Sequence, residues 1–229
     1  MIKNIFLDVG GVILDEKIFE ENSAKIITNI IQKFNKNYIT KDYSSDIDEA
    51  VYRFVPKVYD YVLYKHIKDK HVFNNSKNQY KNEINQSNKE FKFIDGIHSF
   101  LENFSKHYNI GILGQYGKDF KQFLQNNNVL NYFTFSEIQD DYNITKPNPK
   151  YFEEIIGKCK CKAEESIMVG DRIDKDIIPA KIVGMKTIRI KVGIHKNQEP
   201  RIPEETPDLT VKGIKEIKIE MIKAMDYYA

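Results

Sequence analysis

Residues 6–14 read FLDVGGVIL, an apolar run with one aspartate inside it and two glycines close behind. An ionised carboxylate buried inside a strand without a partner is strongly unfavourable, because nothing replaces the water it gives up. The run therefore predicts a strand that ends where Asp8 begins, with Gly10 and Gly11 turning the chain beyond it. A carboxylate at a strand end, beside carbonyls that glycine leaves exposed, can serve as nucleophile and as an oxygen ligand for a cation. Taken alone, an aspartate closing a turn would read the same way.

Outward from this strand, the second half of the chain alternates short apolar runs with amphipathic stretches. The runs predict strands at 5–9, 109–113, 132–135, 166–169 and 187–190, with helices between them at 96–106, 118–126, 149–157 and 174–182. Strands alternating with helices imply an α/β fold, a doubly wound, Rossmann-like parallel sheet that binds ligands beyond the carboxyl ends of its strands. From about 18 to 88 the alternation gives way to long polar-apolar patterns rich in Asn, Lys and Tyr, which read as an all-helical insert placed as a lid. The expected organisation is an α/β core of residues 1–15 and 93–229 and a helical cap of residues 16–92. Within the insert, 74–89 reads as a solvated helix or a loop.

A length of 229 residues suits one large domain or a core with an insert. The chain is 41% hydrophobic and 30% charged, and no stretch approaches the roughly 20 apolar residues that cross a bilayer. Its first residues are unlike a secretory leader, so a cytoplasmic protein without a membrane partner is expected. Thirty-five basic against 33 acidic residues give a net charge of +2, which provides no field for steering toward nucleic acid. Cys159 and Cys161, one residue apart, close no useful loop and supply half a zinc site at most; they read as reduced surface thiols. Monomer and homodimer are equally compatible with the composition.

Three further pieces fall at predicted strand ends. IMVGDRIDKDIIPAK, residues 167–181, places Asp171, Asp174 and Asp176 within six residues. Carboxylates at that density repel one another unless something positive lies nearby, so they read as ligands of a hard cation or as helix caps. In ITKPNPKYF, residues 144–152, Lys146 precedes a proline that biases it toward an extended conformation. It reads as a phosphate clamp or as an ordinary surface lysine. IGILGQYG, residues 110–117, ends a strand in Gly114 and Gln115, whose backbone N–H groups could receive an anion.

In order and spacing these four pieces resemble the four motifs of the haloacid dehalogenase superfamily, whose members are mostly magnesium-dependent phosphatases. The resemblance runs from Ile2 to about Lys191, and the insert resembles the family's helical C1-type cap by position and character. It implies that Asp8 is the nucleophile, and that Asp8, the Gly10 carbonyl and Asp171 coordinate Mg2+. It implies too that Asp176 supports the metal or the lysine from behind, and that Lys146, Gly114 and Gln115 hold phosphoryl oxygens. The expected partner is a small phosphorylated molecule.

Two departures qualify that expectation. Phosphatases of the family carry a second aspartate two residues after the nucleophile, which protonates the leaving oxygen, and here the residue is Gly10. The second motif ordinarily ends in Ser or Thr, and here it ends in Gly114. General acid-base help typically contributes about 10²–10⁴-fold, so slow turnover, least impaired on acyl or aryl phosphates, is expected. The alternatives are a non-catalytic phospholigand-binding protein, or a 2-haloacid dehalogenase, a branch that also lacks the second aspartate. Elsewhere, His66 and His71 diverge on a helix, and His98, His107 and His195 have no partner in sequence. Tyr52, Tyr59, Tyr61 and Tyr64 read as helix packing or as the lid's underside. Residues 193–209 read as a surface loop, followed by a strand near 209–211 and a helix from Lys215.

Overall fold

The structure, a computed structural model, describes residues 1–87, 90–114, 117–136 and 144–226. Strand β1 (Asn4–Leu7) is followed by helices α1 (Lys17–Gln32), α2 (Thr40–Tyr52), α3 (Val58–His66) and α4 (Lys70–Ser87). Then come α5 (Ile97–Phe104), β2 (Asn109–Ile112), α6 (Lys118–Asn126), β3 (Phe133–Phe135), α7 (Pro149–Lys158) and β4 (Ser166–Gly170). A π-helical turn over Ile173–Ile177 leads into α8 (Ile178–Ile182), β5 (Lys186–Ile190), β6 (Leu209–Val211) and α9 (Ile219–Met225). The chain divides into two compact units, one of residues 1–15, 91–192 and 200–229, the other of residues 16–90 and 193–199.

In the first unit the strands form one sheet in the order β3-β2-β1-β4-β5-β6, with every pair parallel. Parallel strands need crossovers, and crossover helices cover both faces, so the central strands are apolar on both sides. Alternation sorts their side chains between two cores. Ile5, Leu7, Ile167, Val169, Ile188 and Ile190 pack with Phe100 and Leu101 of α5 and Phe120 of α6. Phe6 and Met168 face the other way, against Tyr151, Phe152 and Ile155 of α7. Gly111 lets the Phe6 ring lie across β2, since a Cβ there would come within 2.6 Å of it.

The predicted helix at 174–182 is two elements. Pro179 cannot donate a backbone hydrogen bond, and the N–H groups of Asp176 and Ile177 both reach the Arg172 carbonyl, at 3.0 and 3.2 Å, widening the turn before α8 begins. The terminal helix starts at Ile219 rather than Lys215, because Lys218 is extended and residues 214–216 close only a single 3₁₀ turn. No helix among the described residues is long and apolar enough to cross a membrane.

In the second unit, Ile26, Ile27, Ile30 and Ile31 of α1 meet Tyr43, Ile47 and Val51 of α2, Val62 and Leu63 of α3, and Tyr80 and Ile84 of α4. The spacing of Ser76, Tyr80 and Ile84 on one stripe makes the Asn/Lys-rich segment a helix, its polar remainder facing water. Buried among these helices, the Asp46 carboxylate meets Tyr38 Oη at 2.8 Å, Lys65 Nζ at 2.6 Å and His66 Nε2 at 2.6 Å. Lys65 also donates to Glu49 at 2.6 Å. The 193–209 segment is not a surface loop throughout. His195, Gln198 and Glu205 are buried, and carboxylates take up its backbone donors: Glu20 accepts from Ile194 N at 2.9 Å and Glu205 from Arg201 N at 2.8 Å.

Candidate active site

β1 and β4 are neighbours in the middle of the sheet, with Leu7 opposite Val169, so the residues that follow leave the sheet side by side. Asp8 donates its N–H to the Val169 carbonyl at 2.9 Å. Asp171 is the first residue after Gly170. Beyond Asp8 the backbone turns sharply: Gly11 has φ +69°, its N–H reaches the Leu14 carbonyl at 2.9 Å, and Gly10 lies within this bend.

Asp176 joins the two from the π-helical turn. One carboxylate oxygen from each of Asp8, Asp171 and Asp176 lies within 4.8 Å of the others. Gly170 makes this approach feasible, because a Cβ at that position would fall 2.3 Å from Asp176 Cβ. The second Asp176 oxygen accepts from Arg172 N at 3.0 Å. Asp174 takes a different course and pairs with the Arg172 guanidinium at 2.6 and 3.1 Å.

Lys146 bridges the cluster. Its Nζ donates to Asp8 Oδ1 at 2.5 Å and to Asp176 Oδ1 at 2.7 Å, with 10% of its side chain exposed. The lysine sits in the turn that enters α7, where Asn148 caps the helix by accepting from Lys150 N at 3.1 Å and Pro149 occupies the first turn. Burial alone would lower the lysine's pKa, but Asp176 and Asp8 outweigh it and hold the ammonium above the ordinary lysine range. At Asp176 burial prevails instead: reinforced by the charge on Asp8, it outweighs Lys146 and raises the carboxyl to about 6.

The structure thus brings Asp8, Lys146, Asp171 and Asp176 to one end of the sheet, with Gly10 in the adjoining bend. Gly114 adjoins them: a Cβ there would lie 3.0 Å from Asp8 Oδ1 and 2.8 Å from Val9 Cγ2. Val9 Cγ2 therefore fills the space that the Ser or Thr usual at this position would need. Gln115 lies outside the described residues. The donors suit a hard divalent cation, which takes carboxylate and carbonyl oxygens, and three converging carboxylates against one bridging ammonium leave negative charge for it to meet. Sequence reasoning missed Arg189, a residue of β5 whose Nε donates to the Asp171 carbonyl at 3.4 Å from full burial. The interruption of KTIRI, an otherwise apolar or β-branched strand interior, was the only signal of it.

Comparison with known proteins gives a match to the family model described as haloacid dehalogenase-like hydrolase over residues 5–190. A glyceraldehyde 3-phosphate phosphatase from Methanopyrus kandleri is 40% identical over 80 residues, which are 35% of this chain and 34% of that protein. The chain thus spans about a third of the length of the curated relative it matches. Among solved structures, the HAD-hydrolase YfnB from Bacillus subtilis, bound to magnesium, superposes with a TM-score of 0.62 at 17% identity, covering 94% of this chain and 96% of that one. A HAD phosphatase from Thermococcus onnurineus does so with a TM-score of 0.61 at 19% identity, covering 98% of each chain.

Proposed function

The chain belongs to the haloacid dehalogenase-like hydrolase family, and from that premise we propose that it is a magnesium-dependent phosphatase of small phosphorylated metabolites, working through a phosphoryl group carried on Asp8. The observation that carries the reading is the convergence of Asp8, Asp171 and Asp176 around Lys146. The magnesium bound to YfnB and the phosphatase name of the Methanopyrus relative support it.

In this mechanism an Asp8 oxygen attacks phosphorus, the bond from phosphorus to the leaving oxygen breaks, and water then attacks the aspartyl-phosphate to release inorganic phosphate. Lys146, fixed by Asp8 and Asp176, orients the nucleophile and offers positive charge to the phosphoryl oxygens. Asp8, Asp171 and the Gly10 carbonyl would hold Mg2+ with Asp176 behind them, and the ion supplies charge neutralisation when bound. Gly10 has no side chain to protonate the leaving oxygen. Substrates whose leaving groups need little protonation, such as acyl and aryl phosphates, are therefore the favoured ones.

Hydrolysis of acetyl phosphate and p-nitrophenyl phosphate, with and without Mg2+, tests this. Turnover is expected only with the ion, and Asp8→Asn is expected to reduce it to background. A second reading, a phospholigand-binding protein without turnover, draws on Gly10 and Gly114. Equal rates for the parent and Asp8→Asn would support it over the first.

A further inference from the structure

Position 189 is a poor place for a cation. On β5, Ile188 and Ile190 face one apolar core, and residue 189 points to the opposite face, in register with Gly170 of β4 and Thr210 of β6. The Arg189 side chain is 1% exposed, among the largest fully buried in the protein. A guanidinium does not shed its proton to escape burial, and an apolar side chain of similar size is often as stable in such a place or more so. An arginine at this position therefore calls for polar partners that hold it there.

One group the arginine reaches belongs to the centre described above. Its Nε donates to the backbone carbonyl of Asp171, at the point where β4 ends and the chain turns toward Asp176. Asp176 presses on this turn from another direction, close enough that Gly170 can carry no side chain. The Asp171 main chain is thus braced by a buried donor while its carboxylate is aimed at Asp8 and Asp176.

We propose that Arg189 is a positioning residue for the cation centre: by holding the Asp171 carbonyl from inside the sheet, it fixes the direction in which the Asp171 carboxylate points. This rests on the phosphatase reading, since it concerns the same ligands. Positioning and plain electrostatics predict opposite signs. A buried positive charge near the ligands repels an incoming cation, so if charge alone mattered, removing it would tighten binding. If positioning dominates, removing it weakens binding, as loss of groups that orient metal ligands usually does by about 10–100-fold.

The test is isothermal titration of the full chain with MgCl2 in the absence of substrate, alongside urea denaturation without the metal. Arg189→Met is expected to weaken Mg2+ binding about tenfold, Arg189→Lys to recover part of the loss, and saturating Mg2+ to return kcat on p-nitrophenyl phosphate close to the parent value. A folded Arg189→Met that binds Mg2+ as tightly as the parent, or more tightly, overturns the proposal. Should that variant fail to fold, Arg189→Lys decides: weaker binding at unchanged metal-free stability supports positioning, and unchanged binding refutes it. A parent that takes up no Mg2+ sinks the phosphatase reading and this proposal together, whereas equal uptake by parent and variant sinks this proposal alone.

Discussion

At the scale of single residues, Gly114 and Val9 act as a pair. A hydroxyl-bearing side chain at 114 would enter space that Val9 Cγ2 and Asp8 Oδ1 already fill, so the glycine is matched to the β-branched residue beside Asp8. Gly114→Ser alone is expected to destabilise the protein by about 1–3 kcal/mol, the usual cost of overpacking a closed site. Combining it with Val9→Ala should return much of that stability. Urea denaturation of the single and double variants measures both, and additive losses would show that the two positions are independent. Residues of this kind mark the limit of what the sequence discloses. Asp8, Lys146, Asp171 and Asp176 could be singled out because each is a charge placed against a strand end or a proline, where burial forces a reason for it. The role of Gly114 could not, because the neighbour that determines it, Val9, lies about a hundred residues away along the chain.

At the scale of elements, the helical unit is pinned by a charged group rather than by apolar packing alone. Asp46 lies on α2, and its partners Lys65 and His66 end α3. Burial works against the ionised Asp46, but hydrogen bonds from Lys65, His66 and Tyr38 outweigh it, and the carboxyl is held below its usual range. A carboxyl lowered in the folded state contributes stability above its unfolded pKa and loses it as pH falls through the folded value. Asp46→Asn should therefore destabilise the protein near pH 7 by about 1–2 kcal/mol, the scale of hydrogen bonds to a charged group discounted for the exposure of Lys65, and the difference from the parent should shrink below about pH 4. Melting curves at pH 7 and pH 3 test this, and a gap that stays constant would refute it. The helical character of the unit was legible from its apolar spacing, as the strands were from their runs, but the break between α2 and α3 at 53–57 was not. His66 was not, because its partner stands twenty residues away and only the crossing of α2 and α3 brings them together.

At the scale of the whole molecule, the parallel sheet could be read from the alternation of runs and helices, since that alternation is the crossover rule written along the chain. The packing of 193–199 with helices lying more than a hundred residues earlier in the sequence could not. Its polar composition suits water equally well, and it is the burial of His195 and Gln198 and the Glu20 carboxylate at the Ile194 N–H that reveal the difference. The bridging of Asp8 and Asp176 by Lys146 also bears on the molecule as a whole. Because the lysine already offsets part of the carboxylates' repulsion, the fold is expected to hold without an external ion, unlike small metal-dependent domains that unfold without theirs. Treatment with EDTA is expected to abolish hydrolysis while leaving the melting temperature within a degree or so, which corresponds to only a few tenths of a kcal/mol. A large drop in melting temperature would show that the ion holds the core together. With its own internal counter-ion, such an enzyme could be stripped, stored and recharged without passing through an unfolded state, so that its output would follow the supply of free magnesium rather than the history of the protein.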